Sequence, residues 1–242
     1  MAEERASRNT IHQSAYIAPS VVLGEGNYIG PFTSIEGGVR IGDGNWIGPN
    51  VTIGTPAQYT TSKFELNGSG KTGIRIGSRC VIREYCTVHQ PSKFETIVED
   101  DCYLMAYCHV SHDTVLRRGV AMANNTQIGG FTEIQEFATI GLSTVIHQYS
   151  TVGAYAMVGM ATVVTKDVPP FIKVIGNPLH FLGVNEIGLR RAGFSVESIA
   201  QVAQAYAQGK LPLEVASARE YVERFERRRT DGERGLLMPD NR

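Results

Sequence analysis

The chain has 242 residues, with 23 Lys and Arg against 24 Asp and Glu and a formal charge of −1. That balance provides no basic field for nucleic acid or an anionic membrane surface, and no apolar run reaches the ~18–20 residues of a membrane span. The opening MAEERASRNT is polar and charged rather than signal-like, so a cytoplasmic location and no integral membrane segment are expected.

Residues 1–10 read as a flexible lead-in. From Ile11 a branched or long apolar side chain returns every sixth residue, at 11, 17, 23, 29, 35, 41, 47 and 53. The same ladder resumes at Ile76, Ile82 and Val88, and runs unbroken from Val98 to Val164. A period of six is neither the 3.6 of a helix nor the 2 of a lone strand. It is the hexapeptide signature of a parallel β-helix, where each short strand forms one of three walls. One coil then takes 18 residues, and each residue lies over the one 18 before it. Gly42-Asp43-Gly44 and the pairs Gly30-Pro31 and Gly48-Pro49 supply turn chemistry at the corners.

Two insertions interrupt the ladder, at about 54–75 and 89–97. With the wall of Ile17 as the first, its members are Ile17, Ile35, Ile53, Val88, Val110, Ile128, Ile146 and Val164. Both insertions then leave from the corner that ends this wall, and loops grafted on a rigid scaffold commonly carry function. Cys80, Cys86, Cys102 and Cys108 each stand two residues before a ladder position, which predicts small buried packing residues rather than a metal or disulfide set.

Pro169-Pro170 is expected to end the β-helix, which spans 11–170, because two prolines cannot continue sheet pairing. A linker and helices are expected over 171–228. Ser195 is a candidate N-cap for a helix carrying Ile199, Val202 and Tyr206 on one face, and a second helix covers about 213–228. These helices are expected against the last coils or a neighbouring subunit. Residues 229–242 read as a frayed tail.

Four of the six histidines fall on the mapped wall or its corner: His89, His109, His112 and His147. Coils stack at about 4.8 Å, so His89 and the pair His109/His112 lie on adjacent coils, and Gly130 lies over His112. A histidine is the usual general base toward a hydroxyl or amine. A glycine N–H one coil away can serve as an oxyanion donor. Asp113 adjoins His112, but strand neighbours point to opposite faces, so their pairing needs a turn or another subunit's histidine. The competing reading is a three-histidine metal site. The spacing H-x19-H-x2-H carries no metal signature, and no metal is expected.

The segments CHVSHDTV, MANNTQIGGF, VIHQYSTVGAYAMVG, KDVPPF, GNP and GVNEIGLRRAGFS, in that order, resemble the UDP-N-acetylglucosamine O-acyltransferases of lipid A biosynthesis. The resemblance implies a mainly β fold, a left-handed parallel β-helix with a small C-terminal helical region. It further implies a homotrimer with active sites between subunits, an acyl-carrier-protein partner and a UDP-sugar acceptor. By resemblance His112 is the general base, Asp113 its supporting acid and Gly130 the oxyanion donor. His109, His147, Gln148, Asn185 and Arg191 match substrate-binding positions, the last two toward the nucleotide. Lys63 matches a lysine near sugar and phosphate, and His89 a further active-site histidine. Met160 falls where some members have glycine at the far end of the acyl groove, which implies a shorter acyl chain.

No bound cofactor is implied, since the donor itself carries phosphopantetheine, on acyl carrier protein or coenzyme A. Two departures stand out: Phe131 replaces the histidine that usually follows the oxyanion glycine, and Thr61 an acidic residue before the loop lysine. They point to the alternative of an acyl-CoA- or carrier-dependent O- or N-acyltransferase on another acceptor. The alternative of another class is a trimeric zinc lyase of the carbonic anhydrase type.

Overall fold

A computed structural model describes residues 8–58, 73–229 and 234–239. The hexad is realised as a parallel β-solenoid. Two-residue strands such as His109–Val110 and Gln127–Ile128 alternate with four-residue corners. The first wall is an eight-stranded parallel sheet that contains each expected member, from Ile17 to Val164. The second wall has seven strands and the third ten. Register is 18 residues away from the insertions, as in Val110↔Ile128↔Ile146. Across the second insertion it is 22, Val88↔Val110. Both insertions leave the corner between first and second walls, after Thr52–Thr55 and after Thr87–His89.

The ladder side chains point inward and form the core; Ile29, Ile35, Ile47, Ile53, Leu104, Leu116 and Ile140 are fully buried. The four cysteines are buried and free. Their thiols donate to corner carbonyls of the next coil, for example Cys86 Sγ to Met105 O at 3.0 Å.

Three residues after a ladder position the corner takes a left-handed φ. This holds for Asp113, Phe131 and Tyr149 after the first wall, and for Tyr85, Tyr107 and Asn125 after the third. None of these six is glycine, so each of these corners carries a local conformational cost. The strand hydrogen bonds on both sides over-determine it.

Strand pairing does not end at Pro169-Pro170. Ile172–Ile175 continues the third wall, with Val158↔Val174 parallel, and then turns into an antiparallel hairpin with His180–Val184. The prolines occupy a corner, where the missing N–H is not needed for the ladder, and Phe171 N–H donates to Ala154 O at 2.8 Å.

Three helices follow: α1 (Glu186–Arg191), α2 (Val196–Ala207) and α3 (Ala216–Arg229). Ser195 caps α2 as expected, its Oγ accepting from Ser198 N–H at 3.1 Å. The short α1 was not foreseen. Helices α2 and α3 pack on the last coils: Tyr206 Oη donates to Pro170 O at 2.8 Å, and Arg228 pairs with the buried Glu133 of the second wall at 3.3 Å. The chain from Arg234 to Pro239 is not frayed. Asp167 N–H donates to Gly235 O at 3.0 Å, Leu237 N–H donates to Asp167 O at 2.9 Å, and Leu237 is buried.

Candidate active site

His112 and Asp113 stand at the corner between the first and second walls. The left-handed φ of +58° at Asp113 breaks the strand alternation and brings its carboxylate to its neighbour's side. Asp113 Oδ2 lies 2.6 Å from His112 Nδ1, and both residues are buried. The turn that the pairing requires is thus supplied within one chain.

The second insertion explains how a carboxylate survives there. Its backbone curls over Asp113, so that Oδ1 accepts from Lys93 N–H (2.7 Å) and Phe94 N–H (2.5 Å). Oδ2 accepts from Ser92 N–H (2.9 Å) and Ser92 Oγ–H (2.6 Å). Burial by itself pushes this carboxyl up. Hydrogen bonds from His112, Ser92 and the Phe94 N–H outweigh it and hold Asp113 well below the usual carboxylate range. An ionised Asp113 orients His112 with the proton on Nδ1, leaving Nε2 as the basic nitrogen.

Gly130 meets the imidazole from the next coil. A Cβ there would lie 2.5 Å from His112 Cε1 and 2.8 Å from Nε2, so only glycine leaves room for the ring. The Gly130 peptide is held on either side: Tyr149 N–H donates to Gly130 O at 3.0 Å and Phe131 N–H to His112 O at 3.2 Å. Arg228 of α3 adds a bond to Phe131 O at 2.8 Å. The Phe131 ring stacks on Tyr149 at 4.7 Å and meets the edge of His112 at 5.3 Å, with Phe94 edge-on at 6.3 Å. Where the resembling family carries a histidine, this chain has an aromatic wall.

On the preceding coils His109 and His89 face each other, with ring centroids 4.9 Å apart. His109 Nδ1 contacts Thr87 Oγ1 at 2.8 Å. His89 Nδ1 lies 3.1 Å from Pro56 O, and since a carbonyl only accepts, Nδ1 carries the proton. Burial, then the neighbouring His89 and His112, pushes His109 down to about 4; burial lowers His89 too. Both are neutral hydrogen-bonding groups near pH 7. They line an open cavity of about 580 Å³ with Thr55, Gln58, Tyr85, Tyr107 and Gln127. Among the described residues no three His, Cys, Asp or Glu side chains are placed to hold one metal ion.

His147 and Gln148 occupy the same corner one coil beyond Gly129 and are exposed. Met160 is 64% exposed but sits at the opposite edge of the first wall, the corner entered from the third. It extends an apolar strip of Leu142, Val145 and Met157. Asn185 and Arg191 belong to the helical region rather than to the His112 corner of the same chain. The Asn185 side chain is committed locally: Oδ1 caps α1 by accepting from Gly188 N–H (3.2 Å) and Nδ2 donates to Tyr155 O (2.9 Å). Arg191 is exposed in the last turn of α1. Lys63 and Thr61 lie outside the described residues.

Sequence reasoning missed Ser92, Lys93 and Phe94, whose backbone donors hold Asp113. The one available signal was an insertion grafted one coil before the candidate acid. It also missed Arg234, which reaches His147 from the C-terminal segment at 2.7 Å.

A family model described as UDP-N-acetylglucosamine O-acyltransferase, domain 2, matches residues 167–231. A relative from Verminephrobacter eiseniae, an acyl-[acyl-carrier-protein]–UDP-N-acetylglucosamine O-acyltransferase, is 41% identical over 138 residues, 56% of this chain and 53% of the relative. One of the same description from Burkholderia orbicola is 38% identical over 138 residues, again 56% and 53%. The chain thus spans about half the length of these relatives it matches. Solved structures cover more. The Bacteroides fragilis UDP-N-acetylglucosamine acyltransferase is 30% identical, with TM-score 0.68, over 94% of this chain and 100% of that one. LpxA from Acinetobacter baumannii gives TM-score 0.78 at 27% identity, over 94% and 99%.

Proposed function

Because the chain belongs to the UDP-N-acetylglucosamine O-acyltransferase family, we propose that it moves a fatty hydroxyacyl group from an acyl-carrier-protein thioester to a hydroxyl of a UDP-amino sugar. The observation that carries this reading is the buried His112–Asp113 pair with Gly130 packed against its imidazole. The acceptor hydroxyl enters from the cavity side, where neutral His109 and His89 offer hydrogen bonds. His112 Nε2 takes its proton as the oxygen attacks the thioester carbonyl. Charge builds on the carbonyl oxygen, where the Gly130 N–H stabilises it, and Asp113 stabilises the imidazolium. Collapse breaks the C–S bond, and the leaving thiolate takes the proton back from His112. The products are the acyl ester and the free carrier thiol, with no redox change.

The donor's phosphopantetheine is the only prosthetic group this chemistry needs. A homotrimer, with Asn185 and Arg191 of one subunit serving the corner of another, reconciles their distance from His112 with a nucleotide-binding role. The exposed apolar side chains of Tyr103, Tyr107, Val145 and Met157 support such an interface. A carrier-bound donor places the reaction in the cytoplasm. Acyl transfer to another acceptor, from carrier or coenzyme A, is the second reading, favoured by Phe131 against the base.

The test is a mass-spectrometric survey of carrier- and coenzyme-A-bound acyl chains of graded length against UDP-GlcNAc and related sugar nucleotides. Wild type and His112→Ala are compared. Transfer of a hydroxyacyl group to UDP-GlcNAc, lost in the variant, is expected. No transfer to any UDP-sugar by a folded trimer would assign the base and scaffold to another acceptor.

A further inference from the structure

The C-terminal segment makes one contact with the site that no strand register demands. It is anchored by the bonds of Gly235 and Leu237 to the Asp167 backbone, by a parallel bridge between Leu236 and Asp167, and by burial of Leu237. Asp167 is itself fully buried, and its Oδ1 accepts from Thr151 N–H at 2.7 Å. This anchorage delivers the Arg234 guanidinium to the corner above Gly129. Arg234 Nη2 lies 2.7 Å from His147 Nδ1, and Arg234 Nε donates to Gln148 O at 3.1 Å. The contact from Nη2 to His147 Nε2 is longer, 3.4 Å.

A guanidinium only donates. His147 Nδ1 must therefore present a lone pair, and in the neutral ring the proton sits on Nε2. Without Arg234 the ring has another option close by: Nδ1 is 3.2 Å from Gln148 O, an acceptor only, which would draw the proton to Nδ1. Arg234 occupies both Nδ1 and Gln148 O, and so decides between the two tautomers.

Building on the acyl-transfer reading, we propose that Arg234 is a positioning residue that holds His147 as the Nε2–H tautomer, a hydrogen-bond donor toward the acyl donor. The side of the reaction follows from coil order. The cavity of His89 and His109 spans the coils of Thr52, Thr87, His109 and Gln127, and His147 lies one coil beyond the last of these. With the acceptor on the near side of the thioester carbonyl, the far side belongs to the donor.

The test measures the tautomer and the kinetics separately, in the full chain. Long-range 15N–1H correlation spectra of wild type, with His147→Gln to assign the signal, should show an Nε2–H neutral imidazole. Arg234→Gln should shift it toward Nδ1–H. A wild-type Nδ1–H ring, or no change in the variant, overturns the proposal whatever the reaction catalysed. In steady-state assays Arg234→Gln should lower kcat/KM for the acyl donor on the order of tenfold or more, with the acceptor KM unchanged. Arg234→Lys, which keeps one donor but not the fork, should fall between. Millimolar guanidinium should restore part of the activity to Arg234→Gly but not to His147→Gln. Equal losses in both KM values, or activity within twofold of wild type, would refute the proposal. Wild type that transfers no acyl group would instead refute the functional reading and leave the tautomer result standing.

Discussion

Replacing Gly130 by alanine isolates the placement of the imidazole proposed as general base from every other part of the site. The backbone N–H proposed as oxyanion donor survives the change, and so does His112. The added Cβ would fall 2.5 Å from Cε1, 2.8 Å from Nε2 and 3.0 Å from Nδ1 of His112. Ordinary carbon contacts need about 3.5 Å, so the ring must retreat by about 1 Å. It has little room to do so. Nδ1 is tied at 2.6 Å to Asp113, whose carboxylate is held by Ser92, Lys93 and Phe94, and Phe131 stands at 5.3 Å. A displacement of about 1 Å from the productive geometry costs on the order of a hundredfold in rate. Folding should lose about 1–3 kcal/mol through overpacking. Single-turnover acyl transfer at saturating donor and acceptor reads the first effect, and thermal unfolding the second. The double variant Gly130→Ala/His112→Ala should be no slower than His112→Ala alone, since the methyl acts through the ring. A single variant within threefold of wild-type rate would refute the placement of His112 as the group that moves the proton.

Asp113→Asn sets an amide NH2 or a weaker acceptor against five donors, so a kcat loss of about 10³- to 10⁴-fold is expected, from the wrong His112 tautomer. The same carboxyl has a depressed folded-state pKa, so its stabilising contribution is present above the ordinary Asp value and is lost as pH falls through and below it. Acid unfolding of Asp113→Asn should lack that component. Asp167 works in the opposite direction: burial raises it from 3.8 to about 6, partly offset by the Thr151 N–H and by Arg229, Arg228 and Arg234. Between about pH 4 and 6 the folded chain holds more protons at this site, so stability falls as pH rises, by about 3 kcal/mol in all. In denaturant titrations the stability of Asp167→Asn relative to wild type should increase across that window, and parallel curves would count against it. Met160→Gly should shift acyl preference toward longer chains in a competition assay of mixed-length donors, and an unchanged profile would leave Met160 a packing residue.

The ladder let the walls be assigned residue by residue, because a strict period of six leaves one register that turns the apolar members inward, where all but those of the first coil are buried. It also placed Gly130 over His112 from arithmetic alone. The His112–Asp113 pair was less legible, since strand alternation sets neighbours on opposite faces. What settles it is the left-handed φ three residues after most ladder positions, Val110 among them, a property of corners that composition hides. Phe32, Arg79, Asp113, Ser143 and Ala161 share that conformation and have no residue type in common. The cradle from Ser92 to Phe94 was beyond sequence reasoning, as its backbone N–H donors carry no side-chain signature. Arg234 lies outside the ladder, where no register predicts a partner. The expected stop at Pro169-Pro170 failed because a proline at a solenoid corner interrupts no strand bond.

A solenoid repeats its corners at a fixed stacking distance, so a reactive group on one coil is bounded by whatever stands at the same place on the next. That constraint accounts for the sequence of the column that holds the site. A ring at position 112 forbids any side chain at 130, and the glycine there leaves its backbone beside the ring, where the proposed mechanism brings the carbonyl oxygen. A carboxylate at 113 requires donors from outside the coil, because the next residue in its own column is Phe131, which offers none from its side chain. The insertion one coil earlier supplies them. Phe131 in turn shields the His112–Asp113 bond on the side where a second histidine would have added a polar group. His112, Asp113 and Gly130 therefore form one interlocked unit, the one proposed as base, supporting carboxylate and oxyanion donor. The adjacent wall, where Phe131 stacks on Tyr149, is the place where a difference in substrate would be accommodated.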